Sequence, residues 1–319
     1  MSRYSYSPAS RPTFYFIGVT TAKSSIMKVF PEWAKHLGLG DVEIKGLDFQ
    51  PHDRVERYRE VVEFIKSDPL SLGGLVTTHK LDLYAACRDL FDEIDPHATL
   101  MAETSCLSKH DGKLICHAKD PISSGLALDG FLPEDHFAKT GAEVFSMGAG
   151  GSTIALTWHL SQASRGANRP SRIIVSNRSQ ARLDHLREIH EALGHGIPCD
   201  YVLAPEATDN DAVLADLSEG ALVINATGLG KDAPGSPLSD AALFPRQAQV
   251  WELNYRGDLI FLDQARAQQE ARALHIHDGW SYFIHGWTQV IAEVFNIEIP
   301  TSGPAFDEIA AIAAKVAGR

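Results

Sequence analysis

The sequence predicts an α/β protein of two domains, on three observations. Short apolar runs rich in β-branched and aromatic residues alternate with segments of helical period, as strands joined by crossover helices do. The length of 319 residues is about twice a usual domain of ~100–200 residues. A second strand–helix rhythm begins near Gly141 and opens with a glycine-rich turn.

The elements follow in order. Phe14–Val19 reads as a first strand, Ile26–Leu37 as a helix and Val42–Phe49 as a second strand. Arg54–Lys66 is amphipathic, because Val55, Tyr58, Val61, Val62 and Ile65 return at steps of three and four. Gly73–Thr77 is a third strand, Leu81–Leu90 a helix, and Leu114–Ala118 a strand running into Asp120. In the second rhythm Glu143–Met147 is a strand and Ser152–Ala163 a helix. Arg172–Ser176 is the next strand, and Gln180–Leu193 is a helix with Leu183, Leu186, Ile189 and Leu193 on one face. Tyr201–Leu203, Leu222–Asn225 and Gln249–Leu253 are further strands, while Tyr282–Phe295 and Ala305–Ala317 are closing helices. The acidic stretch Asp209–Glu219 reads as a solvated helix.

Composition bounds the function. A hydrophobic share of 44% and a charged share of 22% are globular values that exclude long disorder and coiled coil. The net charge of −12 repels phosphate backbones and anionic lipid, so neither nucleic acid nor a membrane surface is an expected partner, and a bound phosphate needs a local basic site. Four cysteines without a CxxC are too sparse for a disulfide scaffold. No apolar run has the length of a signal peptide or bilayer span. The expected setting is cytoplasmic, with residues 1 to about 10 as a loose tail.

The segment Gly148-Ala149-Gly150-Gly151-Ser152 lies where a strand ends and a helix begins. Glycines there permit a tight turn and close backbone approach to a pyrophosphate, which the helix N-terminus attracts. The third glycine of the usual fingerprint is replaced by Thr153. At the tip of the next strand an NAD site would carry Asp or Glu for the ribose hydroxyls. This chain has Asn177-Arg178-Ser179, with Arg182 one turn later. Two guanidinium groups and a hydroxyl suit a 2′-phosphate, so the expected cofactor is NADP rather than NAD.

With these motifs the chain resembles the shikimate/quinate dehydrogenase family, in consistent order from about Phe16 to Ile299. GAGGS matches the family's GAGGA loop, and Asn177–Ser179 with Arg182 matches its NRTxxR element. Ile224–Gly230 matches INATxxG, which places Asn225, Ala226 and Thr227 beside the nicotinamide ribose. Asp278-Gly279 matches the DG that starts the returning helix, and Tyr255 matches a family tyrosine. Lys80, closing GLVTTHK, and Asp120, closing CHAKD, correspond to the family's catalytic lysine and aspartate. The resemblance implies a discontinuous α/β substrate-binding domain (residues 1–122 and 275–319) around a Rossmann-type NADP-binding domain (123–274). It also implies a homodimer.

Departures cluster where the family holds substrate. Its paired serines align with Ser24 and Ile26, and its Asn and Thr before the catalytic lysine become Gly74 and Val76, or Thr77 with a one-residue shift. Another family Asn aligns with Thr104, and the Asn before the catalytic aspartate becomes Ala118. The family glutamine falls at Gly286, with Gln289 one turn away, and a Met-Leu pair becomes Tyr282-Phe283. Ser24, Thr104, Tyr255 and Gln289 are the expected substrate-binding residues. Unmatched buried polar groups each cost ~1–3 kcal/mol, so four or five such losses predict a small-molecule substrate other than shikimate, a cyclic polyol or hydroxy-ketone. The added bulk of Ile26, Trp280, Tyr282 and Phe283 points to a more apolar or differently shaped ring.

Other readings stay open: a true shikimate or quinate dehydrogenase, a non-catalytic NADP(H)-binding regulator on this fold, and a methyltransferase, which the basic strand tip disfavours. No metal is expected. His190 and His195 are five residues apart and so point ~140° apart on a helix, unlike zinc-protease ligands. The pair His275 and His277 lies where the family has strand and turn. His79 and His117 flank Lys80 and Asp120 with open roles, and Cys106 and Cys116 read as buried thiols.

Overall fold

The first apolar run forms β1 (Thr13–Gly18), buried along its whole length. This computed structural model describes residues 6–194, 196–231 and 233–319. The expected tail lies partly outside these residues, and His195 wholly so. After β1 come α1 (Ile26–His36), β2 (Glu43–Asp48), α2 (Val55–Ser67), β3 (Ser71–Val76) and α3 (Lys80–Cys87). They are followed by β4 (Glu93–Ile94), α4 (Pro96–Met101), β5 (Cys106–His110), β6 (Lys113–His117) and α5 (Asp120–Asp129). The sheet order is β2-β1-β3-β5-β6-β4. Both neighbours of β1 run parallel to it, whereas β5 is antiparallel to β3 and to β6.

Strand β5 was not among the expected elements. It pairs with β6 across Asp111-Gly112, both at positive φ (51° and 76°), the two-residue hairpin turn whose twist suits flanking strands. On α2 the expected stripe is buried at Tyr58, Val61, Val62 and Ile65, with Phe64 beside it. Val55 is the exception: it is the first helical residue and stays 53% exposed.

Pro121–Phe283 forms one compact unit, and the other comprises residues up to Asp120 together with Ile284–Arg319. After α5 the middle unit contains α6 (His136–Thr140), β7 (Val144–Met147), α7 (Gly151–Ser161), β8 (Ile173–Asn177) and α8 (Gln180–Leu193). It continues through β9 (Cys199–Leu203), α9 (Ala207–Ala215), β10 (Leu222–Asn225), β11 (Gln249–Glu252), α10 (Ile260–Arg266), α11 (Gln269–Arg272) and β12 (His275–His277). Its sheet runs β12-β11-β10-β7-β8-β9, every pair parallel. Counted within the unit, that order is 6-5-4-1-2-3, the doubly wound arrangement of dinucleotide-binding sheets. Helix connections cover both faces of such a sheet, which is why β7 and β10 are buried at every position. The chain order reverses between β7 and β10, and ligands of such sheets bind at that switch point.

The expected boundary at 274 falls one strand early. His275–His277 pairs in parallel with Gln249–Trp251, so the sheet holds this segment in the middle unit. The last helices are α12 (Trp280–Phe295) and α13 (Gly303–Ala317), and the unit boundary falls within α12. Beyond Ile284 the chain packs on β1 and α1. Phe14 meets Phe30, Phe295 and Trp287 at ring distances of 5.3, 5.8 and 6.1 Å. Buried Trp33 donates Nε1–H to the Ile309 carbonyl at 2.9 Å. Among the described residues no helix is long and apolar enough to cross a membrane.

Candidate active site

Lys80 is the first residue of α3, and a strained turn presents it. Thr78 holds φ 61°, a left-handed conformation that a β-branched residue rarely adopts. The Lys80 ammonium is ion-paired with Asp120 Oδ2. Asp120 is the first residue of α5, where a carboxylate also meets the positive end of the helix. Burial works against the Lys80 charge, but Asp120 and then Glu103 outweigh it and raise the amine above the ordinary lysine range.

Glu103 was not among the expected site residues. It follows the left-handed C-cap Ala102 of α4 and is only 1% exposed. Its backbone is tied in place: Glu103 N–H donates to Ala98 O at 3.3 Å, and Thr104 N–H donates to Lys80 O at 3.2 Å. Its Oε1 is buried with no hydrogen-bond partner among the described residues. Burial pushes this carboxyl up to about 7, with Lys80 opposing and Asp120 reinforcing the rise.

The expected substrate residues of this unit differ in what they offer. Ser24 is buried and caps a short turn, while Ile26 is wholly buried at the start of α1. The Thr104 hydroxyl donates to the Cys106 carbonyl at 3.2 Å, so its proton is engaged by backbone. Gln289, half-buried on α12, has no side-chain hydrogen bond among the described residues, and a Cβ added at Gly286 would meet open space. The two flanking histidines belong to the interior. His79 Nδ1 bonds Tyr58 Oη at 3.0 Å, and His117 Nε2 bonds Ser108 Oγ at 2.8 Å. Burial depresses His79 below the ordinary histidine range.

In the middle unit the glycine loop sits at the switch point. Gly148 directly follows β7 at φ 107°, and a Cβ there would stand 2.6 Å from the carbonyl oxygen of Ala226, the residue after β10. A Cβ on Gly150 would meet nothing within 4 Å. Helix α7 starts at Gly151, so its first backbone N–H groups have no partners within the helix. Thr153 replaces the usual third glycine and closes the turn itself, its hydroxyl donating to Gly148 O at 2.6 Å. Buried Ala149 and half-buried Ser152 complete the loop, with Tyr282 Oη donating to Ser152 Oγ at 3.4 Å.

At the tip of β8, Asn177 Oδ1 accepts from Ser179 N–H at 2.9 Å and shapes the turn that carries Arg178. Arg178 is exposed and Arg182 half-buried, and neither has an ion-pair or hydrogen-bond partner among the described residues. Two unpaired guanidinium groups in so acidic a chain fit a phosphate ligand. Asn225 is buried and organises the β10 turn: Nδ2–H donates to Glu252 Oε2 at 2.6 Å, and Oδ1 accepts the Thr227 hydroxyl at 2.6 Å. Glu252, also unexpected from sequence, is raised to about 7 by burial, which its bonds from Asn254 and Asn225 oppose.

Gly279 is obligatory for packing, since a Cβ there would lie 2.0 Å from the Leu253 carbonyl oxygen. Beside it Tyr255, Trp280 and Phe283 form an aromatic group, with Phe283 at 4.4 Å from the Tyr255 ring and 4.9 Å from the Trp280 ring.

The remaining sequence signals are structural. His190 bonds Thr157 and Tyr201 inside the α7–α8 packing. His277 stacks on Phe131 at 3.9 Å and is lowered to about 4, by burial above all. Among the described residues no group of three His, Cys, Asp or Glu side chains could hold a metal ion. None of the four cysteines is in a disulfide, and burial pushes the Cys87 and Cys116 thiols up to about 12, away from nucleophilic reactivity.

No family model matches the chain. It is 28% identical over 178 residues to a shikimate dehydrogenase (NADP(+)) of Lactococcus lactis subsp. cremoris, a match covering 56% of this chain and 59% of that relative. The chain thus spans less than two thirds of that relative's length. A shikimate dehydrogenase structure from Aquifex aeolicus superposes with a TM-score of 0.71 at 17% identity, covering 95% of this chain and 99% of the other. A quinate dehydrogenase from Corynebacterium glutamicum in complex with NAD gives 0.71 at 19%, covering 95% and 98%. At such identities the structural likeness is one of fold. Over more than half its length the chain is similar in sequence to shikimate dehydrogenases, and over nearly all of it the fold is similar to that of shikimate and quinate dehydrogenase structures.

Proposed function

We propose that the chain is an NADP-dependent dehydrogenase that interconverts a cyclic polyol and its hydroxy-ketone, and that its substrate is not shikimate. The observation that carries the reading is the Lys80–Asp120 ion pair, an acid–base couple at the positions the dehydrogenase resemblance assigns to catalysis. The names of the sequence relatives support the chemistry and the cofactor. The switch-point glycines, the open helix start and the two unpaired arginines fit the cofactor's pyrophosphate and 2′-phosphate.

When bound, the cofactor supplies or accepts the hydride. Every other step belongs to the chain's own groups. During reduction Lys80 Nζ donates a proton to the carbonyl oxygen as the hydride reaches carbon, and during oxidation it accepts that proton. Asp120 holds the amine in position and stabilises its charged form. One proton is consumed per ketone reduced, so oxidation gains as pH rises. The unpaired Gln289 amide and the space at Gly286 are offered to substrate. Ile26 removes half of the carboxylate-binding pair that the resemblance implies, which supports a substrate other than shikimate. The free thiols support a cytoplasmic setting, and the homodimer remains what the resemblance implies.

Two experiments test this. In a screen of cyclic polyols and hydroxy-ketones followed by NADPH absorbance, the best substrate is expected to exceed shikimate and quinate at least tenfold in kcat/KM. Shikimate at parity removes the substrate clause, and no hydride exchange with any compound favours a regulator instead. Replacing both arginines (Arg178→Ala with Arg182→Ala) is expected to weaken NADPH binding about 10–100-fold, from charge-assisted bonds of about 1.5–3 kcal/mol. NADH binding stays within twofold. Equal loss for both cofactors, read by tryptophan fluorescence, rejects the 2′-phosphate assignment.

A further inference from the structure

We propose that Glu103 is a third member of the Lys80–Asp120 pair, a positioning residue that acts on the reaction through the charge of Lys80. The inference deepens the dehydrogenase reading and takes its catalytic meaning from it. Buried carboxylates that serve packing alone have their oxygens satisfied. Glu103 does not: its side chain is shut off from water, and Oε1 has no partner among the described residues. The charged groups that face it are Lys80 and Asp120. The hydrogen bond from Thr104 N–H to Lys80 O fixes the neighbouring backbone to the lysine's own. One ammonium therefore acts on two carboxyl groups, one ion-paired with it and one without a hydrogen-bond partner at Oε1 among the described residues.

The arithmetic of charge gives Glu103 its role. With Glu103 protonated the cluster is neutral, one ammonium against Asp120. With Glu103 ionised it carries −1, and the added negative charge tightens Lys80's hold on its proton. Burial places that change near neutral pH. Below it Lys80 surrenders its proton to a ketone more readily. Above it the same proton is held harder, and an anionic substrate is repelled.

The test labels Lys80 in the full-length protein with trace acetic anhydride across a pH series, read by peptide mass spectrometry. Exposed Lys315 serves as internal reference. In Glu103→Gln the onset of Lys80 labelling is expected to move to lower pH by about one unit or more, because one of its two anions is gone. An onset unchanged from wild type overturns the proposal. Glu103→Met, which has no polar atom to bury, carries the same expectation should the glutamine variant fold poorly.

Labelling uses neither cofactor nor substrate, so a chain with no dehydrogenase activity still gives an answer, and an unchanged onset leaves the dehydrogenase reading standing. With the substrate found by screening, kcat for reduction in wild type is expected to fall through about pH 7, and the break disappears in Glu103→Gln. A merely structural glutamate moves stability alone. That stability effect has its own sign: a carboxyl raised from 4.5 to about 7 on folding contributes stability below pH 4.5 that is lost as pH rises to about 7. Glu103→Gln therefore gains melting temperature relative to wild type across that interval.

Discussion

Lys80→Ala is expected to lower NADPH-linked turnover about 10²–10⁴-fold, the range for removing a positioned general acid or base. NADPH affinity is expected to stay within twofold, because the glycine loop and the two arginines belong to the other unit. Turnover is read by NADPH absorbance on the screened substrate and affinity by tryptophan fluorescence. The loss is expected in kcat and kcat/KM together, the pattern of an interaction made in the transition state. Lys80 is the cation that acts on both carboxyl groups, so the alanine variant leaves Asp120 and Glu103 without one. A small drop in melting temperature is expected with it. Turnover within tenfold of wild type removes Lys80 from the mechanism.

The second large effect falls on the switch point, where two glycines of one loop are expected to behave differently. At Gly148 both φ (107°) and space forbid a side chain, since a Cβ would meet the Ala226 carbonyl oxygen at 2.6 Å and its carbon at 2.7 Å. Both are backbone atoms and cannot rotate away. Gly148→Ala is expected to push β7 and β10 apart at their tips, lowering the melting temperature by several degrees and NADPH affinity at least tenfold, about 1.4 kcal/mol. At Gly150 the backbone is extended (φ −97°) and a Cβ meets nothing. Gly150→Ala is expected to leave the melting temperature unchanged while weakening NADPH, since the open space is where a pyrophosphate approaches the helix start. Unchanged affinity in Gly150→Ala places the cofactor elsewhere.

Local rules made the middle unit readable. Strands buried on both faces appear as continuous apolar runs, and the glycine turn marks the first of them. The basic tip of β8 was equally plain, because nothing but chemistry distinguishes Asn177-Arg178-Ser179 from the acidic alternative. In the first unit the amphipathic α2 was clear, yet β5 was missed although Asp111-Gly112 is the turn signal of a hairpin. Its polar Ser108, Lys109 and His110 hid the strand. Strand β12 came only from the resemblance, which implies strand and turn at His275 and His277, because three residues carry no period and its pairing with β11 defines it.

Lys80 and Asp120 were found through resemblance, forty positions apart in a chain whose fold brings them together. Glu103 gave no such signal. Glu-Thr-Ser-Cys has no apolar period or motif that marks its first residue. Its burial comes from long-range packing, and the one sequence-level trace was a charged residue directly before the otherwise neutral run Thr104–Leu107.

The return of the chain's last helices to β1 and α1 has a consequence for synthesis. Phe14 and Trp33 are wholly buried, and their cover includes Trp287, Phe295 and the Ile309 carbonyl. A ribosome makes residues 14 and 33 first and their cover last, with the whole of Pro121–Phe283 in between. The middle unit can therefore close on its own contacts while the segment made before it still waits with bare aromatic faces. Domains usually fold in the order they emerge; here the second-made unit is expected to finish first, and a nascent chain stopped near residue 283 lacks the residues that cover Phe14.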